Sequence, residues 1–180
     1  MTYLPTFITN EVASELISNI DKEQWLSDIS RRVQHYGYKY DYRIRSINQS
    51  MKVKPIPTWL NAMCEKLVSD GLFSKLPDQV IINEYLAGQG IANHIDCEPC
   101  FMDTIASLSL GSTCVMDFTN KTDYTKCQYL LEPKSLLLLS GVARYNWLHG
   151  IAKLKTDNYH GQIINRSRRI SITFRNVILN

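Results

Sequence analysis

Long apolar runs are missing from this chain. The longest uninterrupted aliphatic stretch is Leu136–Leu139, held between Ser135 and Ser140, far short of the roughly 20 residues that a spanning helix needs. It reads instead as a buried strand, and no membrane partner is expected. No signal peptide is expected from the opening residues, and neither an internal repeat nor a low-complexity linker interrupts the sequence. Cysteines number five, an odd count at irregular spacing, which predicts reduced thiols in a cytoplasmic or nuclear protein rather than a disulfide framework. Histidines are scarce, four in all, so each one weighs in any reading of a metal or proton-transfer site.

The 180 residues fit one domain, 1–180, with 44% hydrophobic residues, enough to build a core without staples. A net charge of +3 and a pI near 8.6 permit a phosphate-bearing partner without demanding one. A short strand is expected over Tyr3–Ile8, followed by a helix capped by Asn10 with Val12, Leu16 and Ile20 on one stripe. A second helix starts near Thr58, carries Trp59, Met63 and Leu67 on one face, and stops at Gly71. Beyond Gly71 the texture turns to strands: 79–85, 104–110, 113–118, 127–131, 135–139, 144–149 and 169–177. Many short strands without helices between them predict a mainly β, α+β fold: a jelly roll, or double-stranded β-helix, over 77–177, covered by the N-terminal helices.

His94 and Asp96 stand two apart, and an extended backbone presents such residues on the same side. A third ligand from a distant strand would complete a 2-His-1-carboxylate face, the arrangement of non-haem Fe(II) oxygenases with open coordination positions. His149 is the better third ligand, since it ends a strand before Gly150, while His160 sits in a polar loop. His94, Cys97 and Cys100 could also form half of a zinc site, although no second ligand pair follows at suitable spacing. In the last strand, Arg169, Ser171, Thr173 and Arg175 share one face and Ile170, Ile172 and Phe174 the other. That polar face either meets water or binds a buried dicarboxylate through guanidinium forks. Asn83 and Tyr85 share a face in the same way, with Tyr85 nine residues before His94.

Together, Asn83-x-Tyr85, His94-x-Asp96, His149-Gly150-Ile151 and Arg169-x5-Arg175 resemble the AlkB family of Fe(II)/2-oxoglutarate dioxygenases in order and spacing. PDQVIINEYLAGQGIANHID, SLSLGSTCVMDF and RRISITFRNV look like the branch that contains the tRNA wobble-uridine hydroxylase. The resemblance implies that His94, Asp96 and His149 bind Fe(II), with Arg175 beside them completing the catalytic set. It also implies that Asn83, Tyr85, Arg169, Ser171 and Arg175 hold 2-oxoglutarate, with Arg169 on the distal carboxylate. Ser171 stands where some relatives carry asparagine. O2 and 2-oxoglutarate would then yield succinate and CO2 while a substrate C–H bond is hydroxylated.

The segment 31–56 mixes Arg31, Arg32, Lys39, Arg43 and Arg45 with Tyr36, Tyr38, Tyr40 and Tyr42. Cations can meet phosphates and rings can stack on an extruded base; the resemblance makes this segment a nucleotide-recognition lid. The alternative is a tyrosine-rich strand whose rings simply pack. Arg32, Tyr36, Tyr38 and Glu98 are the expected substrate contacts, Glu98 because an acid at that position suits a cationic methylated base. The expectation is therefore a monomeric oxygenase that demethylates N-methylated bases in DNA or RNA, releasing formaldehyde. Hydroxylation of a modified tRNA wobble uridine ranks second, since the sequence lacks length for the further domains of larger relatives. A non-catalytic nucleic-acid-binding module ranks third.

Overall fold

The computed structural model describes residues 1–27, 30–41, 44 and 46–179. Tyr42, Arg43 and Arg45, part of the expected lid, lie outside the described residues. In sequence order the elements are β1 (Thr2–Leu4), α1 (Asn10–Lys22), β2 (Val33–Tyr36), a 3-10 turn (Gln49–Met51), α2 (Thr58–Ser69), β3 (Gln79–Tyr85), β4 (Ile91–His94), β5 (Phe101–Gly111), β6 (Cys114–Asn120), β7 (Lys126–Leu131), β8 (Leu136–Leu139), α3 (Gly141–Tyr145), β9 (Trp147–Ile151), β10 (Thr156–Tyr159), β11 (Gln162–Asn165) and β12 (Arg169–Val177). No helix among the described residues is long and apolar enough to cross a membrane.

Two antiparallel sheets face each other. The larger has the order β1-β8-β5-β12-β3-β2 and the smaller β4-β9-β6-β7, with β10-β11 as a separate hairpin. This is the expected jelly roll. Period-two alternation divides the larger sheet. Val80, Ile82, Ala106, Leu108, Leu136, Leu138, Ile170, Ile172 and Phe174 point to one side, where they pack under Leu16 and Ile20 of α1 and Leu60, Met63 and Leu67 of α2. Leu60 and Leu67 are fully buried, and truncating either to alanine would cost about 2–5 kcal/mol. The opposite face carries Ile81, Asn83, Tyr85, Ser107, Arg169, Ser171, Thr173 and Arg175 toward a cavity between the sheets. One alternation thus builds both the core and the site.

Several expected boundaries differ. The cap of α1 is Thr9, whose hydroxyl accepts from the Val12 amide at 3.3 Å, rather than Asn10. The expected strand 144–149 is split: Gly141–Tyr145 form a short helix, and the strand begins only at Trp147. Strands β2 and β4 were too short and too polar to stand out. Gly90 is required where β4 opens, because a Cβ there would lie 2.2 Å from the Ile151 carbonyl oxygen. That close approach lets β4 pair with β9.

Candidate active site

His94 is the last residue of β4, and its register partner in β9 is His149. The strand pairing therefore brings together two imidazoles 55 positions apart in the sequence, their ring centroids 4.4 Å from each other. Asp96 follows just past the end of β4. Ligand atoms of His94, Asp96 and His149 all lie within 4.8 Å of one another. Among the described residues this is the group able to hold a metal ion, and His160 takes no part in it.

His94 and Asp96 are each oriented by a neighbour. The Nδ1 of His94 lies 2.9 Å from the Ala92 carbonyl oxygen; a carbonyl only accepts, so the proton sits on Nδ1 and the lone pair on Nε2. Burial pushes the His149 imidazole down to about 4, against the pull of Asp96, so it is neutral and able to ligate near pH 7. Burial raises the Asp96 carboxyl, but its cationic surroundings, Arg175 first among them, outweigh it and hold the group below its ordinary value. Arg175 Nη2 donates to Asp96 Oδ1 at 2.5 Å, leaving Oδ2 beside His149 Nε2 at 3.6 Å.

The triad lines a cavity of about 720 Å³ together with Asn83, Tyr85, Arg169, Ser171 and Arg175. Arg169 is buried. Its Nη2 donates to Ser109 Oγ at 2.8 Å, while Nε and Nη1 find no hydrogen-bond partner among the described residues. An uncompensated buried guanidinium is costly, and an anionic ligand in the cavity would supply the missing acceptors. Ser171 Oγ is 2.8 Å from Ser107 Oγ. Ile91, Ile105, Met116, Leu137, Leu139 and Ile151 make up much of the apolar wall. Donor set and orphaned guanidinium both fit Fe(II) with a small diacid beside it.

The lid residues divide. Gly37, at φ +76°, breaks the alternation that would have kept four tyrosines on one face. Tyr36 ends β2 and turns into the core, edge-on to Trp59 with centroids 6.2 Å apart; it does not reach the cavity. Tyr38 packs beside a separate cluster containing Tyr40, Cys100 and Phe101, and only Tyr40 of these tyrosines lines the cavity. Arg32 points away as well, binding Glu84 at 2.6 and 2.7 Å. Its neighbour Arg31 is the one that faces inward, donating to Asn83 Oδ1 at 2.8 Å and lying 5.1 Å over the Tyr85 ring. The register explains this: Val33 pairs with Asn83, so position 31 falls opposite Tyr85. Only that pairing could have singled out Arg31. Glu98 lines the cavity and lies 3.7 Å from Lys121 Nζ.

Cys97 and Cys100 are joined as a disulfide, contrary to the expectation of free thiols, while Cys64, Cys114 and Cys127 are free. The turn after Asp96 brings their Cα atoms to 5.2 Å, within bonding range. This leaves neither sulfur available for the half zinc site.

A jelly roll whose cavity floor carries this triad defines a class. The sequence profile of the 2OG-Fe(II) oxygenase superfamily matches residues 9–175. The protein belongs to that superfamily and is an Fe(II)- and 2-oxoglutarate-dependent dioxygenase that uses O2; several of the curated proteins it is similar to are AlkB homologues. It is 36% identical over 177 residues to "Uncharacterized protein L905" of Acanthamoeba polyphaga mimivirus, covering 96% of this sequence and 82% of that one. It is 34% identical over 197 residues to the "Alkylated DNA repair protein ALKBH8 homolog" of Arabidopsis thaliana, covering 97% of this sequence and 57% of the relative. To the mouse "tRNA (carboxymethyluridine(34)-5-O)-methyltransferase ALKBH8" it is 36% identical over 202 residues, covering 92% of this sequence but only 30% of that protein. The solved structure of OsALKBH1 shares the fold, with a TM-score of 0.69 at 18% identity over 97% of this protein and 95% of that one.

Proposed function

We propose that this protein oxidises a modified base in tRNA, the reacting group being a C–H bond on the substituent of the wobble uridine. The observation that carries an oxidative reading is the triad of His94, Asp96 and His149 in one cavity with the Arg169 guanidinium, whose Nε and Nη1 lack hydrogen-bond partners. Similarity to the mouse ALKBH8 protein, whose name gives a tRNA uridine at position 34, supports tRNA as the substrate.

Bound Fe(II), with O2 and 2-oxoglutarate, supplies the C–H oxidation and releases succinate and CO2. The protein's own residues do the rest. His94, Asp96 and His149 would hold the ion. Arg169 grips the distal carboxylate of the diacid, helped by the polar face of Ser171, Asn83 and Tyr85. Arg175 keeps Asp96 ionised and correctly turned. The aliphatic wall keeps water from the reacting carbon. Arg31 and Tyr40 are the cation and ring placed to meet the nucleotide, in place of Arg32 and Tyr36.

A second reading, demethylation of a cationic N-methylated base, is favoured by Glu98. Its pairing with Lys121 is solvent-exposed at both ends and such pairs contribute only about 0–1 kcal/mol, so the carboxylate can turn to a charged base. Mass spectrometry of bulk tRNA and of methylated DNA and RNA oligomers, after incubation with iron-loaded protein, separates the two. The tRNA reading expects a gain of one oxygen on the wobble uridine. Methyl loss with formaldehyde, and no oxygen gain in tRNA, would replace it with demethylation.

A further inference from the structure

Asp96 lies just beyond β4, so the ladder that aligns His94 with His149 does not hold it. The residues that follow, up to the start of β5 at Phe101, are a turn without sheet partners of their own. The Cys97–Cys100 disulfide and the bond from the Ile178 amide to the Cys100 carbonyl oxygen at 2.9 Å tie its later part, and Arg144 holds its Asp96 end. It is 2% exposed, the largest of the fully buried side chains, on the short helix α3 that leads into β9 and His149. Its Nη1 donates to the Asp96 carbonyl oxygen at 2.8 Å, and Nη2 to those of Cys97 at 3.2 Å and Phe101 at 3.5 Å.

A guanidinium in a core is expensive, and a residue needed only to fill space there would be apolar. The planar fork of arginine, however, can bridge several carbonyls at fixed angles, which no other side chain does. Here the bridged carbonyls begin at the ligand itself and end where the next strand starts. The same arginine sits five positions before His149. It therefore ties the segment leading to one ligand to the backbone of another. Asp96 is pinned twice: its backbone by Arg144, its carboxylate by Arg175.

We propose that Arg144 is a positioning residue of the iron site, clamping the backbone from Asp96 to Phe101 so that the carboxylate stands in place before the metal arrives. This rests on the metal reading of the triad. It predicts that Arg144 acts on metal affinity without touching the metal, as partners of metal ligands do, at roughly 10–100-fold when they are lost.

The test is titration of metal-free protein with Co(II), read from its visible absorption, alongside thermal unfolding. The wild type should bind, and Asp96→Ala should abolish the signal. Folded Arg144→Met should bind Co(II) at least tenfold more weakly, with altered absorption bands, and Arg144→Lys should fall between, since an ammonium cannot reach all three carbonyls. A purely structural role would lower the melting temperature and leave Co(II) affinity and spectrum alone. Folded Arg144→Met binding within twofold of wild type, with an unchanged spectrum, overturns the proposal. Where the methionine variant fails to fold, Arg144→Lys decides by the same criterion. Failure of the wild type to bind, or retention of binding by Asp96→Ala, removes the metal reading instead, and the proposal with it.

Discussion

Arg175 and Asp96 meet across 2.5 Å, guanidinium to Oδ1, from the far end of β12 to the residue just past β4. One carboxylate oxygen is thereby occupied, and the other is left toward His149. The contact also explains why Asp96, though buried, stays ionised. Arg175→Met should leave the protein folded but free the carboxylate to rotate, weakening Co(II) binding by roughly tenfold or more. Equal affinity in variant and wild type would show that Asp96 is aimed without this partner.

Arg169 is a cation waiting for an anion. Replacing it with methionine removes a charge-assisted fork worth about 1.5–3 kcal/mol, so the KM for 2-oxoglutarate should rise roughly 10–100-fold. Succinate formation measured against cosubstrate concentration checks this. Metal affinity should hardly change, because Arg169 touches none of the three ligands. A KM within twofold of wild type would place the diacid elsewhere.

Tyr36 and Tyr40 should behave in opposite ways. Tyr36 is a core residue, its hydroxyl donating to Gln34 Oε1 at 3.0 Å, so Tyr36→Ala should cost about 3–5 kcal/mol of stability with little effect on substrate KM in the folded fraction. Tyr40 lines the cavity. If its ring stacks on a base, Tyr40→Ala loses about 1–3 kcal/mol of binding, a KM for nucleic acid raised roughly 5- to 100-fold. Thermal melts and steady-state kinetics on both variants distinguish the two roles.

Glu84 joins three elements from the helix side of the larger sheet, binding Arg32 and Arg168, while Arg168 reaches on to Asp21 at the end of α1. The bond from Arg32 lowers the Glu84 carboxyl, burial raises it, and the bond from Arg168 adds to the lowering, which prevails. A folded value below the unfolded one means stability that is complete above the ordinary glutamate range and is lost as pH falls through the folded value. Glu84→Gln should therefore flatten the fall in melting temperature between about pH 5 and pH 3. At neutral pH the variant should be less stable by about 1–3 kcal/mol. A variant as acid-sensitive as the wild type would assign the acid limb to other carboxylates.

Much of this arrangement was legible in one dimension. The alternation in Arg169–Val177 and Gln79–Tyr85 marked two strands to the residue and told the polar face from the apolar one. His94-x-Asp96 and His149 could be paired because histidines were few and one stood at a strand end. The expected lid failed at Gly37, where a positive φ that no pattern of tyrosines announces sends Tyr36 one way and Tyr38 another. Arg31 and Arg32 were interchangeable until β2 took its register on β3. Arg144 carried no signal of its role, since an arginine at the start of an expected strand reads as surface.

Periodicity, then, marked the strands and the two faces of the larger sheet, because side-chain parity along a strand is a local property of the sequence, while the spacing of His94, Asp96 and His149 offered a candidate trio that the family resemblance joined. Which of two adjacent arginines enters the cavity, which tyrosines reach it, that Cys97 and Cys100 bond, and that Arg144 grips the backbone at Asp96 were decided only in three dimensions. Each depends on strand register or on a turn bringing distant backbone close, and neither is written in the spacing of residues along a single segment.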